Sequence, residues 1–288
     1  MTEQPTNFEV LERETERIVK ELDIPPCPGI LAKFNQEFNA ACPDLGRLAA
    51  LIGSDIGLSA TLLKTVNSPF YGLEKKASSV ERAISILGLR TSANLLRGLL
   101  LRRAFPAASG SAMERFWDTS TRTAGLAAAV AARLKGVESD EAHTYVLFRD
   151  CGMLVMLRRF AQYAQLMEHS AAISGAQFTR IEDARFKFNH ARVAFALAQS
   201  WSLPEPLCWA IFYHHEFDLM ANNPLGAKPA NPKLVAFGLL AEQIAALHTN
   251  QGLCPDWIGA EQFVLDTLGI EADQIVELSE MVLETTAA

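Results

Sequence analysis

The chain has 288 residues, 49% hydrophobic and 20% charged, with 26 basic against 33 acidic side chains and a net charge of −7. Such a length holds one large or two modest domains with real cores, the composition excludes a disordered chain, and the acidic balance argues against nucleic acid as a partner. The opening MTEQPTNFEV lacks the basic and apolar regions of a signal peptide, no apolar run approaches the roughly 18 residues of a membrane span, and five scattered cysteines read as reduced thiols, so a cytoplasmic protein with no membrane partner is expected.

Periodicity predicts helices almost throughout, and β-type alternation is scarce. The first helix spans about 8–22, with Phe8, Leu11, Ile18, Val19 and Leu22 near one face; Pro25, Pro26 and Pro28 then interrupt it. A second helix runs over 30–39. Pro43 suits the first turn of a third, whose stripe is Leu45, Leu48, Leu51 and Ile52. Gly53-Ser54-Asp55 stops that helix and caps a fourth, which buries Leu58, Leu62, Leu63 and Val66.

Asn67-Ser68-Pro69-Phe70-Tyr71-Gly72 forms a compact turn. Ser78-Ser79-Val80-Glu81 fits a capping box before a short helix that ends at Gly88, and another helix covers 91–104. The breaker-rich 106–111 stretch predicts a boundary near residue 108, separating subdomains 1–108 and 109–288. Helices are then expected at 113–134, 139–149, 152–169, 177–186, 189–201, 205–215, 232–248, 260–268 and 271–285. The fold class is all-α: an N-terminal helical bundle packed on a C-terminal one.

Charge is unevenly spread. Residues 64–103 hold eight basic and two acidic side chains, whereas residues 266–288 hold six acidic and no basic ones. The basic stretch reads first as a solvated set of helix faces; as a polyanion site it would use Lys75, Lys76, Arg82, Arg97, Arg102 and Arg103. No phosphate-binding Gly-rich loop and no nucleophile elbow is present.

The segment Pro25–Leu101 resembles the first half of an HDOD domain, a bacterial signalling domain. The resemblance rests on Pro25-Pro26-Cys27-Pro28, Ser54-Asp55-Ile56-Gly57-Leu58, Leu62-Leu63-Lys64, the 66–72 turn with Asn67, Ser68, Tyr71 and Gly72, and Ala83-Ile84-Ser85-Ile86-Leu87-Gly88. Residues 116–216 resemble the family's HD-like portion, and the resemblance covers about 20–250.

It implies a relation to metal-dependent HD phosphohydrolases, whose ligand positions can be matched. The first histidine position holds Thr119, the His-Asp doublet position holds Arg149-Asp150, the next two hold His190 and His214 or His215, and the stretch for the final carboxylate, 235–240, holds Leu239 and none. A guanidinium has no lone pair for a metal, and a hydrolytic site needs about three protein ligands plus an open position.

Asp150, His190 and His214 are the remaining donors. Arg149 is expected to neutralise Asp150, unless the roughly 100° between adjacent helical residues turns it away. By the same rule, His214 and His215 cannot both face one site. The structural readings are a hydrogen-bonded His190, an Asp150 that holds a helix end or pairs with Arg149, and a packed Phe70-Tyr71 turn. The implied function is a non-catalytic regulatory module without cofactor, acting on a signalling protein partner or a small acidic ligand. The alternative is a divergent metal phosphohydrolase of nucleotides or cyclic dinucleotides.

Overall fold

The computed structural model describes residues 7–68, 71, 73, 76–108, 111–169, 172–220, 231–249 and 252–286. Pro69, Phe70, Gly72, Lys75 and most of the 222–231 loop lie outside them. Among the described residues all regular structure is helical, and no single helix is long and apolar enough to cross a membrane.

Local signals set the first elements. Helix α1 (Asn7–Glu21) buries Leu11 and Ile18 and packs on α12 (His190–Ser200). Asp23 turns the chain at φ 51°, and the carbonyl of Pro25 then accepts from the indole of Trp201 at 2.9 Å. Helix α2 is Gly29–Phe38. In α3 (Leu45–Gly53) and α4 (Ile56–Val66) the caps are Asp44 and Asp55, whose carboxylates accept from the amides of Arg47 and Leu58. Pro43 therefore lies before the helix and not in its first turn. A charged oxygen satisfies an orphan amide, which a proline ring cannot do.

Asn67 closes the loop that follows. Its amide donates to the Ala77 carbonyl at 2.9 Å, and its oxygen accepts from the Ala77 amide at 2.7 Å. Ser68 accepts from the Tyr71 amide at 3.2 Å. Helix α5 (Val80–Leu87) is capped by Ser79 through the Arg82 amide, one residue beyond the start of the expected box, so Glu81 falls at the wrong position to complete it. Gly88 at φ 80° passes the chain straight into α6 (Leu89–Ala104).

Ser111 caps α7 (Ala112–Ala131), which packs on α8 (Ser139–Arg149) and α14 (Pro232–His248). The expected 152–169 helix is two: α9 (Gly152–Arg159) and α10 (Tyr163–Met167), separated where Phe160 turns extended. Next come α11 (Gly175–Phe186), α12, α13 (Glu205–Tyr213), α14, α15 (Trp257–Leu268) and α16 (Ala272–Thr286). One contiguous apolar cluster joins both halves, from Leu11 and Phe34 through Phe105 and Trp117 to Val282.

Arg97 is not a surface cation. It is only 5% exposed and donates to Asn94 at 2.7 Å and Asn35 at 3.2 Å; Asn94 in turn donates to Asp140 of α8 at 2.7 Å. Arg103 pairs with Asp55. The polyanion site imagined on this stretch thus loses a member to the interior.

Helices α9 and α12 approach so closely at Gly152 that a Cβ there would stand 2.0 Å from the His190 carbonyl and 2.8 Å from the Ala194 amide nitrogen. Both are backbone atoms and cannot rotate away. Gly152→Ala is expected to cost about 3 kcal/mol or more by forcing the helices apart. Urea denaturation checks this, and an unchanged midpoint would refute the contact.

Candidate functional site

Five segments converge beside Gly152. Asp150 caps the end of α8, His190 opens α12, His214 and His215 follow the last turn of α13, Glu242 comes from α14, and Asp256 precedes α15. His214 is the C-cap of α13 and keeps helical dihedrals, φ −63° and ψ −19°, with His215 just beyond it. Their rings lie 3.9 Å apart between centroids and both enter the site, against the sequence expectation. Asp150, His190, His214 and His215 each offer one donor atom, and these four atoms lie within 4.8 Å of one another.

Each imidazole is oriented from behind. His190 Nδ1 is 2.6 Å from Glu182 Oε2, His214 Nδ1 is 2.6 Å from the Ile211 carbonyl, and His215 Nδ1 is 3.1 Å from Asp256 Oδ2. An acceptor at Nδ1 takes a ring proton there and turns Nε2 inward. The carboxylates are held too: Tyr163 donates to Glu182, the His190 amide donates to it at 3.1 Å, and the Gly175 amide donates to Asp256 at 2.6 Å. The Nε2 atoms then point inward. His190 and His215 face each other at 3.0 Å, and Asp150 Oδ1 lies 3.4 Å from His190 Nε2 and 3.2 Å from His214 Nε2. Although close to Asp150, His214 Nε2 is buried without a hydrogen bond.

Arg149 folds back onto the site. Its guanidinium, 4% exposed, meets Asp150 Oδ2 through Nε at 3.0 Å and also pairs with Glu242. This settles how the adjacent pair is arranged: α8 ends at Arg149, so the two side chains can converge. Burial would raise the Asp150 carboxyl, but Arg149 and then His190 and His214 hold it well below the ordinary range. Glu242, sharing the same cation, is pushed up to about 7 by burial, with Asp150 and Asp256 adding to the rise against the pull of Arg149. Burial opposes charge on His190, yet Glu182 and Asp150 raise it to about 10; burial and the neighbouring His214 lower His215 to about 3.

A cavity of about 500 Å³ opens from this floor. Asp150, His215, Glu242 and Asp256 form one wall; α7 supplies Arg115, Phe116, Thr119, Ser120, Arg122 and Thr123. Thr119 thus lies in the cavity. Leu239 is buried and is not part of its lining, whereas Glu242, one turn on, supplies the α14 carboxylate that the 235–240 stretch lacks. Asn67, Ser68 and Tyr71 belong to the N-terminal turn and are not among the cavity residues.

Sequence reasoning missed Glu182, Glu242, Asp256 and Tyr163. Glu242 and Asp256 act across long chain separations, and Glu182 acts on His190 from eight residues before it on a different helix; the signal that pointed toward the site was the Arg149-Asp150 pair with the histidines. For a metal, the fit is to Asp150, His190, His214 and His215 together, one donor more than the sequence reading allowed.

A family model described as the HDOD domain matches residues 24–217. Among curated proteins, an uncharacterized protein of Treponema pallidum (strain Nichols) is 28% identical over 222 residues, covering 73% of this chain and 42% of the relative. The chain therefore spans less than half the length of that protein. Among solved structures, an HDOD domain protein with unknown function from Geobacter sulfurreducens gives a TM-score of 0.66 at 24% identity, covering 97% of this chain and 96% of the other. A Shewanella amazonensis SB2B protein described as a candidate phosphohydrolase gives 0.69 at 22%, covering 93% of each. A Marinobacter aquaeolei VT8 protein described as a candidate signal transduction protein gives 0.69 at 21%, covering 96% and 64%. These likenesses show a shared all-α fold; with the family match running through both helical halves, the chain belongs to the HDOD domain family.

Proposed function

We propose that this chain is a non-catalytic signalling module, which senses a small acidic ligand in the cavity and passes its state to a protein partner. The observation that carries the reading is Arg149, buried and paired with both Asp150 and Glu242. Hydrolytic metal centres keep carboxylate oxygens and an open position for an activated water. Here a permanent cation takes one Asp150 oxygen and the nearest carboxylate on α14.

The cavity suits a bound anion with an apolar body. Arg122 is exposed at the wall, and Arg115 pairs with Glu168 at 3.8 Å, with both side chains over half exposed. Thr119, Ser120 and Thr123 add hydroxyls, and Phe116, Met153 and Phe178 give apolar surface. A volume of a few hundred cubic ångströms is ordinary for a small-molecule site.

Three outcomes test this reading. Phosphodiester and nucleotide hydrolysis, assayed with added Mg²⁺, Mn²⁺ or Zn²⁺, is expected to stay at the no-protein rate; turnover that disappears in Asp150→Ala would instead establish the phosphohydrolase alternative. Arg149→Met strands two carboxylates in the interior and is expected to cost about 3–5 kcal/mol in urea denaturation, and a wild-type midpoint would contradict the buried pairing. Thermal shift against a panel of nucleotides and sugar phosphates is expected to find a stabilising anion. Its affinity should fall about tenfold or more in Arg122→Ala, the loss of one charged hydrogen bond. A panel with no shift, or equal affinity in the variant, removes the ligand from the proposal.

A further inference from the structure

We infer that the cavity ligand is dipolar: its anionic group lies against Arg122 and Arg115 of α7, and an alkylammonium at its other end lies against Glu242 of α14. This deepens the anion reading above and rests on it, since it assigns the second pole of the same ligand.

The lining is in conflict with any ligand of a single sign. Among the described residues, the carboxylates of Asp150, Glu168, Glu242 and Asp256 border the cavity, against the guanidinium groups of Arg115 and Arg122. A purely anionic ligand would reach the arginines only by also facing the acidic wall, and a purely cationic one would face the arginines. A molecule that carries both charges satisfies both walls. On the α7 side, Arg115, Thr119, Arg122 and Thr123 follow helical spacing along one stripe, which gathers cations and hydroxyls around the anionic end.

On the acidic side, one carboxylate has capacity left. Asp150 Oδ1 faces His190 and His214, and its Oδ2 is held by Arg149. Asp256 Oδ1 accepts from the Gly175 amide at 2.6 Å, and its Oδ2 lies 3.1 Å from His215 Nδ1. Among the described residues, Glu242 is hydrogen-bonded through Oε1 alone, to Arg149. Its side chain is also the most open of the three, 28% exposed against 20% for Asp150 and 14% for Asp256. Arg149 does not compensate it fully: burial pushes the Glu242 carboxyl up to about 7 even beside the guanidinium, with Asp150 and Asp256 adding to the rise. A second cation on the cavity side supplies what is missing.

The choice of an ammonium follows from the same oxygen count. A guanidinium binds a carboxylate best through both oxygens in one plane, and Arg149 already has Oε1. An ammonium is a compact point charge that needs one oxygen. Between the poles, Phe116, Met153 and Phe178 give apolar surface, which suits a short aryl or alkyl spacer.

The test is calorimetric titration of the full chain with matched probes: para-aminomethyl benzyl phosphate, para-methyl benzyl phosphate, which lacks the ammonium, and para-aminomethyl benzyl alcohol, which lacks the phosphate. A second series carries one more methylene before the amine. At least one dipolar compound is expected to bind about tenfold or more tightly than either of its truncated partners. Glu242→Gln should erase the preference for the ammonium without weakening the amine-free phosphate, whereas Arg122→Ala should weaken both phosphates by the same factor. Should Glu242→Gln fail to fold, the comparison of ligands on the wild type still decides. An amine-free phosphate that binds as tightly as its dipolar partner, or an ammonium preference that survives in folded Glu242→Gln, overturns the dipolar inference and leaves the anion reading standing. So does absence of binding by both dipolar compounds when the nucleotide and sugar-phosphate panel gives a shift. An amine that binds equally well without its phosphate, or no binding by any probe or panel member, overturns both.

Discussion

Asp150 has two carboxylate oxygens, and the centre of this molecule is organised by how they are divided. One faces His190 and His214; the other belongs to Arg149, which reaches on to Glu242. Breaking such a buried pair from one side is far more costly than the pair is stabilising, so each partner enforces the presence of the others. The arrangement needs α8, α12, α13 and α14 to meet at one point, and small residues permit it. Gly152 lets α9 touch the first turn of α12. At Gly238 a Cβ would stand 3.0 Å from Arg149 Nη1, so the guanidinium takes the room a side chain on α14 would fill. Arg149 is thus accommodated where α14 offers no side chain.

The N-terminal half is tied to this centre by polar links as well as by the shared apolar cluster. Arg97 has no carboxylate of its own; Asn94 relays it to Asp140 on α8, and Asn35 joins it to the Trp201 carbonyl through a longer 3.4 Å contact. Arg192 of α12 pairs with Glu14 of α1 at 2.7 Å. The buried Arg97 guanidinium bonds Asn94 and Asn35 through its two terminal nitrogens while its Nε has no hydrogen-bond partner, so it links α2 and α6, and α8 through Asn94, without being fully satisfied. Since α8 ends at Arg149, any rotation of the N-terminal helices on α8 reaches the Asp150 turn directly.

Much of the fold was legible because it is locally encoded. Asp55, Ser79 and Asn189 cap helices through their own side chains, and Gly88 marks a helix stop, so element order follows from short-range chemistry. The site was legible only in part. Arg149 and Asp150 are neighbours in the chain, and their pairing could be weighed from sequence alone. Counting His214 and His215 as diverging helical neighbours separated two rings whose centroids lie 3.9 Å apart. Glu182, Glu242 and Asp256 carry no local signature, since a carboxylate on an amphipathic helix normally faces water. Arg97 failed for the converse reason: its partners are uncharged amides 62 and 3 residues away, and no charge pattern announces them.

Charge accounting links the two halves of the site. Asp150, Glu182 and Asp256 are carboxylates in a largely buried cluster, Glu242 adds a fourth, and Arg149 is the single permanent cation among them. An excess of negative charge out of water is expensive unless compensated. A proton on His190, whose pKa Glu182 and Asp150 raise to about 10 against burial, offsets part of it. Arg149 offsets part of the rest by reaching both Asp150 and Glu242. Removing either cation would leave carboxylates uncompensated in the interior, so the charge balance of the cluster rests on Arg149 and His190 together.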